Sequence, residues 1–318
     1  MEVFETARDF GRALDAVRAK GRSVGLVPTM GALHAGHESL ISRAIAECDH
    51  VAVTIFVNPL QFGDPDDIAQ YPRTLPNDLE CCSRSGVASV LVPSVQEIYP
   101  DWPDPVTTVS VGGVSEPWEG RFRPGHFDGV STVVSKLFSA TGRCRAYFGE
   151  KDFQQLVVVR RLVSDLLMPV DVIGCPTVRE EDGLALSSRN VRLTPAQRRA
   201  AAVLWRSLLA GRAALSDGER SPDAVASLMA AVVDSEPLAE LEYAAVVNPV
   251  DLSVPEVLAG SDPFRLLIAA RFGSIRLIDN CAASLSFSPQ RDPLERVSSG
   301  SSDQTASQLS ANQPIMKG

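Results

Sequence analysis

Lysine is almost missing from this 318-residue chain: of its 30 basic residues, only Lys20, Lys136, Lys151 and Lys317 are lysine. A chain so inclined to arginine keeps lysine where a compact, flexible ammonium suits the task better, which singles out Lys136 and Lys151. Cysteine is sparse too. Cys48, Cys81, Cys82, Cys144, Cys175 and Cys281 form no Cys-x-x-Cys pair. A disulfide framework is therefore not expected, and reduced thiols in a cytoplasmic protein are. No Cys or His cluster has ligand spacing, so zinc is not expected either. No uncharged apolar run reaches the roughly 18 residues of a membrane span. The opening MEVFETARDFGRAL carries acidic residues and no apolar core, unlike a signal peptide. Basic excess is also lacking: the net charge of −9 and pI near 5.1 argue against a nucleic-acid partner. ATP is not excluded, because Mg²⁺ and a few placed cations neutralise phosphates locally.

What is present is an ordinary globular composition, 45% hydrophobic and 22% charged. The length suits two domains with a sizeable core. In the first half, apolar runs at Ser23–Pro28, Val51–Val57, Ser89–Pro93, Arg145–Phe148 and Val170–Gly174 read as strands. Helical stretches lie between them, through about Cys48, over Phe127–Ala140 and over Asp152–Leu167. Continuous apolar strands separated by helices predict an α/β fold: a Rossmann-like parallel sheet with helices on both faces. Ligands then collect beyond the carboxyl ends of the strands.

The rhythm changes near residue 177. Thr194-Pro195 reads as the start of a helix running to about Leu215, and a second helix spans about Pro222–Val233. Leu241–Val247, Phe264–Arg271 and Ser274–Ile278 read as strands, the last two joined by a Phe272-Gly273 turn. The expected organisation is residues 1–176 as the nucleotide-binding domain and 177–283 as a smaller C-terminal α+β lid domain. Residues 284–318, rich in Ser, Gln, Pro and Asn, read as a disordered tail.

Four junctions carry candidate chemistry. Pro28-Thr29-Met30-Gly31-Ala32-Leu33-His34-Ala35-Gly36-His37 joins a buried strand to a helix start. His34 and His37 lie three apart, so both can face one ligand. The free N–H groups of a helix start favour phosphate, and Gly31 and Gly36 permit close backbone approach. After the next strand, Phe56–Gly63 offers Asn58 and Gln61, neutral hydrogen bonders suited to a hydroxylated or carboxylate substrate. Gly149-Glu150-Lys151-Asp152-Phe153-Gln154-Gln155 follows another strand; Lys151 and Gln155, four apart, share a helix face. A lysine there opposes the helix dipole and calls for a negative partner. Asp152 at the helix start could also be a simple N-cap. Finally, Leu186-Ser187-Ser188-Arg189-Asn190 at the domain junction makes a compact phosphate clamp on a closing lid.

Two further segments are weaker. Arg121, Arg123 and His126 lie in a Gly/Pro-rich loop that could wall a substrate pocket or simply pack. Tyr71–Asp78 reads as a polar loop, with Asp78 a candidate Mg²⁺ ligand. Lys136 follows the buried pattern of Val130, Val133, Val134 and Leu137 and is left outside the site.

Five motifs in order, VPTMGALHAGH, FVNPLQFG, EGRFRPGHFDGVSTVV, YFGEKDFQQ and EDGLALSSRN, resemble the pantoate–β-alanine ligase family, over about residues 2–280. The resemblance implies a nucleotidyltransferase fold with an HIGH-type signature and a two-step reaction. Pantoate carboxylate attacks the α-phosphorus of Mg-ATP, and β-alanine then attacks the pantoyl adenylate, releasing AMP and pantothenate. It also implies a homodimer. His34 and His37 would contact ATP phosphates, and Lys151, Ser187, Ser188 and Arg189 would hold them. Gln61 and Gln155 would bind pantoate with Asn58 close by, Gly149 and Asp152 would recognise the ribose, and Pro28 and Met30 would line the pocket. Leu186 stands where the family often has methionine, a volume-conserving change at the adenine wall. Asn77 stands where an acidic residue is common, which weakens a Mg²⁺ site in that loop. Two rivals remain: another HxGH-type nucleotidylyltransferase, which would lack the Gln61/Gln155 pair, and a non-catalytic nucleotide-binding regulator. The latter is disfavoured because His34, His37, Lys151 and Arg189 all stand.

Overall fold

Six strands pair into one parallel sheet: β1 (Glu2–Phe4), β2 (Val24–Thr29), β3 (His50–Ile55), β4 (Ser89–Leu91), β5 (Cys144–Gly149) and β6 (Val170–Cys175). Their order is β1-β4-β3-β2-β5-β6. The computed structural model describes residues 1–63, 65–260 and 263–285; the expected tail lies, from residue 286 on, outside the described residues.

Alternating residues along the strands feed two cores, as the pleat requires. Leu26, Ala52, Leu91, Ala146 and Phe148 pack with the helices Ala7–Arg18, His126–Thr141 and Phe153–Asp165. Val27, Val53, Ile55, Val90 and Tyr147 pack instead with the helices Ala35–Glu47 and Leu75–Arg84. Both faces of the sheet are thus covered, which is why its strands read as continuous apolar runs. The three-residue strand β1 is too short to carry such a pattern and escaped the sequence reading. The segment expected as a polar loop up to Asp78 is helical from Leu75 on, with proline in its first turn.

Strand order reverses between β2 and β5. From β2 the chain steps outward through β3 to β4, then returns to add β5 and β6 on the other side. β2 pairs with β3 over six residues but with β5 at only Gly25↔Arg145 and Leu26↔Ala146. Past those two pairs the strands part, and a crevice opens between their carboxyl ends. This is the position at which doubly wound sheets bind ligands.

The C-terminal part is a second layer pair. Thr194 caps the helix Pro195–Ala201 through a reciprocal box with Gln197, and Val203–Ser216 follows after a break at Ala202. With Pro222–Asp234 these helices cover an antiparallel meander of β7 (Glu240–Val247), β8 (Phe264–Phe272) and β9 (Ile275–Ala283). Leu204, Leu208, Met229, Leu266 and Ile268 form its own core. From the opposite face Ala245, Val247 and Leu267 join the core of the first sheet. β9 runs five residues beyond the expected end at Ile278. Asp279 and Asn280, residue types that disfavour strands, lie in that extension; here both are buried and their polar atoms are paired.

Candidate active site

The loop leaving β2 organises itself largely by local bonds. His34 is the N-cap of the helix Ala35–Glu47, and its Nδ1 accepts the Gly36 N–H at 3.1 Å. His37 Nδ1 accepts the His34 N–H at 3.3 Å, closing a reciprocal capping box made by two imidazoles. Because a backbone N–H can only donate, both Nδ1 atoms are unprotonated and each neutral ring carries its proton on Nε2. Burial, then Lys151, lowers the His34 pKa; burial, then His34, lowers that of His37 to about 3. The two rings, 4.2 Å apart, are therefore neutral N–H donors at pH 7, not imidazoliums.

The glycines serve this loop, and that modifies their expected role. A Cβ on Gly36 would stand 2.8 Å from His34 Cε1, so the missing side chain makes room for the ring. Gly31 has φ +82° and would press a Cβ against Asp78 Oδ2 at 3.0 Å. Asp78 is the brace of the loop. Its carboxylate is 3% exposed and accepts the N–H groups of Ala32 (3.1 Å) and Leu33 (2.8 Å). Thr74 Oγ1 donates to it as well. This corrects the Mg²⁺ expectation: both Asp78 oxygens are spent on the backbone. Among the described residues no group of three or more His, Cys, Asp or Glu side chains could hold a metal.

Asn58 also moves from ligand to support. It is buried behind Gln61, with Nδ2 donating to Gln61 Oε1 (3.1 Å) and to Gly129 O (3.0 Å). Oδ1 accepts the Tyr99 hydroxyl at 2.8 Å. With its hydrogen-bonding capacity used internally, Asn58 orients Gln61 rather than reaching a substrate. His126 does the same from the other side, its Nδ1 meeting Gln61 O at 2.9 Å while Arg123 Nη1 donates to Nε2. Burial, then Arg123, lowers the His126 pKa to about 4. Of the loop expected as a possible wall, Arg123 and His126 thus back the site, and Arg121 is exposed. Lys136 places its ammonium 5.5 Å from the Tyr99 ring centroid.

Lys151 stands across the crevice, in a 3₁₀ turn Glu150–Asp152 between β5 and the helix Phe153–Asp165. Its Nζ is 3.5 Å from Asp152 Oδ1. Asp152 occupies the N-cap position of that helix, but its side chain makes no capping bond among the described residues. Gln155 faces the cavity, whereas Gln154 turns away to bind Glu119 N, Val114 O and Pro117 O.

These groups meet in one cavity. Its wall includes Pro28, Met30, His34, His37, Gln61, Gly149, Lys151, Asp152, Gln155, Leu186, Ser187, Ser188 and Arg189. A second cavity adjoins it, and Lys151, Asp152, Ser187 and Arg189 belong to both. Of the residues expected to contact substrate or metal, Asn58 and Asp78 stand behind this wall. Several wall residues went unrecognised: Val130 and Val134 present an apolar strip, and the buried Tyr71 hydroxyl hydrogen-bonds the Ser188 side chain. Valines inside a helix give no signal of facing a ligand. Asp67 was missed as well; it holds Arg189 Nη2 at 2.9 Å and Arg192 Nη1 at 2.8 Å, pinning the serine-arginine loop.

The fold and the site define a class: a Rossmann-like α/β protein with an HxGH helix start and a cationic cleft at the sheet's switch point. Comparison with known proteins narrows it. The family model for pantoate-beta-alanine ligase matches residues 2–282. A pantothenate synthetase from Roseiflexus castenholzii is 50% identical over 281 residues, covering 88% of this chain and 99% of that protein. One from Rubrobacter xylanophilus is 49% identical over 270 residues, covering 83% and 92%. Among solved structures, the pantothenate synthetase of Thermus thermophilus superposes with TM-score 0.82 at 45% identity, over 88% of this chain and 99% of that one. A pantoate-beta-alanine ligase from Francisella tularensis, complexed with beta-gamma ATP and beta-alanine, gives TM-score 0.73 at 32% identity over 91% and 99%. The chain belongs to the pantoate–β-alanine ligase family.

Proposed function

We propose that the chain condenses pantoate with β-alanine at the expense of ATP, through a pantoyl adenylate, releasing AMP and pyrophosphate. The observation that carries this reading is the make-up of one cavity wall. Gln61 and Gln155 offer amides to a hydroxy acid, Val130, Val134 and Met30 offer an apolar strip to its branched carbon, and Lys151 and the histidines stand beside them. Pantoate has that combination of a hydroxyl, a carboxylate and a dimethyl-bearing carbon. The Francisella relative, described with an ATP species and β-alanine, supports the same substrates here.

In this reading the pantoate carboxylate is the nucleophile, so the protein needs no nucleophilic side chain of its own. Its contribution is alignment and charge stabilisation. His34 and His37 donate from Nε2 to phosphate oxygens, as neutral groups already fixed by their Nδ1 bonds. Lys151 neutralises charge growing at the α-phosphate, while Ser187, Ser188 and Arg189 hold the outer phosphates after Arg189 exchanges Asp67 for them. Gly149 and Asp152 contact the ribose, and Pro28, Met30 and Leu186 line the nucleotide's pocket. Magnesium enters as part of Mg-ATP, held chiefly by the phosphates, as is usual for this strongly hydrated ion.

We also propose the division into residues 1–176 and a lid of residues 177–283, and a cytoplasmic homodimer. Light scattering of the purified chain tests the dimer. Among the described residues no helix is long and apolar enough to cross a membrane. The reaction is tested by incubating the protein with pantoate, β-alanine and ATP. The expected nucleotide product is AMP, formed one for one with pantothenate. ADP in its place would mean an acyl phosphate rather than an adenylate.

A further inference from the structure

The turn that carries Lys151 has little to hold it locally. Among the described residues neither Gly149 nor Asp152 supplies a capping side-chain bond. Its anchor comes instead from a strand about 130 residues further on. Asn280, in β9 and 3% exposed, donates from Nδ2 to Glu150 O at 2.9 Å and to Lys151 O at 2.7 Å. Its Oδ1 accepts from Arg265 Nε at 2.6 Å. The amide's orientation follows from its partners: two carbonyls require donors and a guanidinium requires an acceptor. Arg265, on β8, also donates to the Glu150 carboxylate at 3.1 Å and lies over the Phe153 ring, its guanidinium carbon 4.1 Å from the centroid. Next along β9, Asp279 is clamped by both Nη atoms of Arg179, at 2.6 and 2.9 Å, and accepts the Asn280 N–H at 2.7 Å.

An apolar contact would join the two sheets at least as well, since buried polar groups need complete pairing merely to break even. What directional bonds add is position. We infer that Asn280, oriented by Arg265, is a positioning residue for Lys151: by gripping the two peptide carbonyls on either side of the Lys151 amide nitrogen and α-carbon, it fixes where the ammonium stands. The small antiparallel sheet is then part of the catalytic apparatus without touching substrate. This rests on the reading of Lys151 as the residue that stabilises charge at the phosphate.

Displacement of a catalytic group by about 1 Å can cost on the order of 10²-fold in rate, and that sets the expected effect. Asn280→Asp keeps the shape and the acceptor for Arg265 but turns an oxygen toward both carbonyls. Asn280→Ala removes the grip, and Asn280→Ser keeps one donor. Steady-state kinetics of all three should show kcat down about 10²-fold for the alanine and aspartate variants, with an intermediate loss for serine. The ratio kcat/KM for β-alanine should stay within about two-fold of wild type, because the amine acts on an intermediate formed after Lys151 has done its work. Thermal melts identify variants that are folded at the assay temperature, and only those are compared. Folded Asn280→Ala with wild-type kcat would overturn the inference, as would a loss confined to melting temperature. Lys151→Ala is assayed in parallel. If it too keeps wild-type kcat, the parent reading of Lys151 has failed; if it is inactive while folded Asn280→Ala is not, only the role of Asn280 has.

Discussion

Two turns face each other across the crevice, and they are built in opposite ways. The His34–His37 turn is held by bonds spanning two or three residues, with Asp78 as a distant brace. The Glu150–Asp152 turn has no side-chain cap among the described residues and is held by Asn280 from another sheet. The comparison teaches that a site can be half local motif and half tertiary construction. The local half is robust and easily read. The tertiary half couples the second sheet to the chemistry.

The largest effect should come from Lys151. Lys151→Ala is expected to lower kcat by more than about 10³-fold, the scale of losing a main source of transition-state charge stabilisation. The melting temperature should change by no more than a few degrees, since the ammonium's sole ion pair among the described residues is a 3.5 Å contact to Asp152. A melt lowered in proportion to activity would mean that Lys151 supports the fold. Asp78→Ala breaks the other turn's brace. It removes the acceptor of two part-buried N–H groups, at up to about 1 kcal/mol each, so urea unfolding should show a loss of stability along with activity. Preserved stability would show that the loop does not depend on its brace.

Gly36→Ala separates stability from activity within the local turn. Alanine is favoured over glycine in a helix by about 1 kcal/mol, yet its Cβ would meet His34 Cε1 at 2.8 Å. The expected outcome is unchanged or higher stability with kcat lowered roughly 10-fold by a displaced imidazole. A variant as active as wild type would show that the ring's position is not critical.

The smallest effect is a pH dependence. His126 has its pKa lowered from 6.5 to about 4, so the unfolded chain takes up the proton first as pH falls. Its contribution to stability is intact above pH 6.5 and declines between 6.5 and about 4. The slope from one such group is at most about 1.4 kcal/mol per pH unit. Denaturant titrations at pH 7 and pH 5 should show a smaller acid loss for His126→Asn than for wild type. Equal losses would remove His126 from the acid sensitivity of the fold.

Much of the site was legible because its signals are contiguous. The strand-to-helix junctions carry their histidines, lysine and serines within a few residues of an apolar run, and a parallel sheet brings such junctions to one edge. Asn58 and Asp78 show where that logic stops. Their side chains have the chemistry of ligands, and only the fold reveals that Gln61 and a backbone loop have already taken it up. Asn280 is the converse case. Read along the chain, the strand stops at Ile278, before Asp279 and Asn280; in the fold Asn280 grips the Lys151 turn, because Arg179, Arg265 and two carbonyls converge on this pair from elsewhere. Asp67 escaped for the same reason, since its arginine partners lie more than 120 residues away.

In the proposed reaction the pantoate carboxylate itself attacks the α-phosphorus before β-alanine is needed. Exchange of labelled pyrophosphate into ATP measures that step alone. Exchange is expected with pantoate present and β-alanine absent, and none without pantoate. Exchange that proceeds without pantoate, or that requires β-alanine, would contradict it.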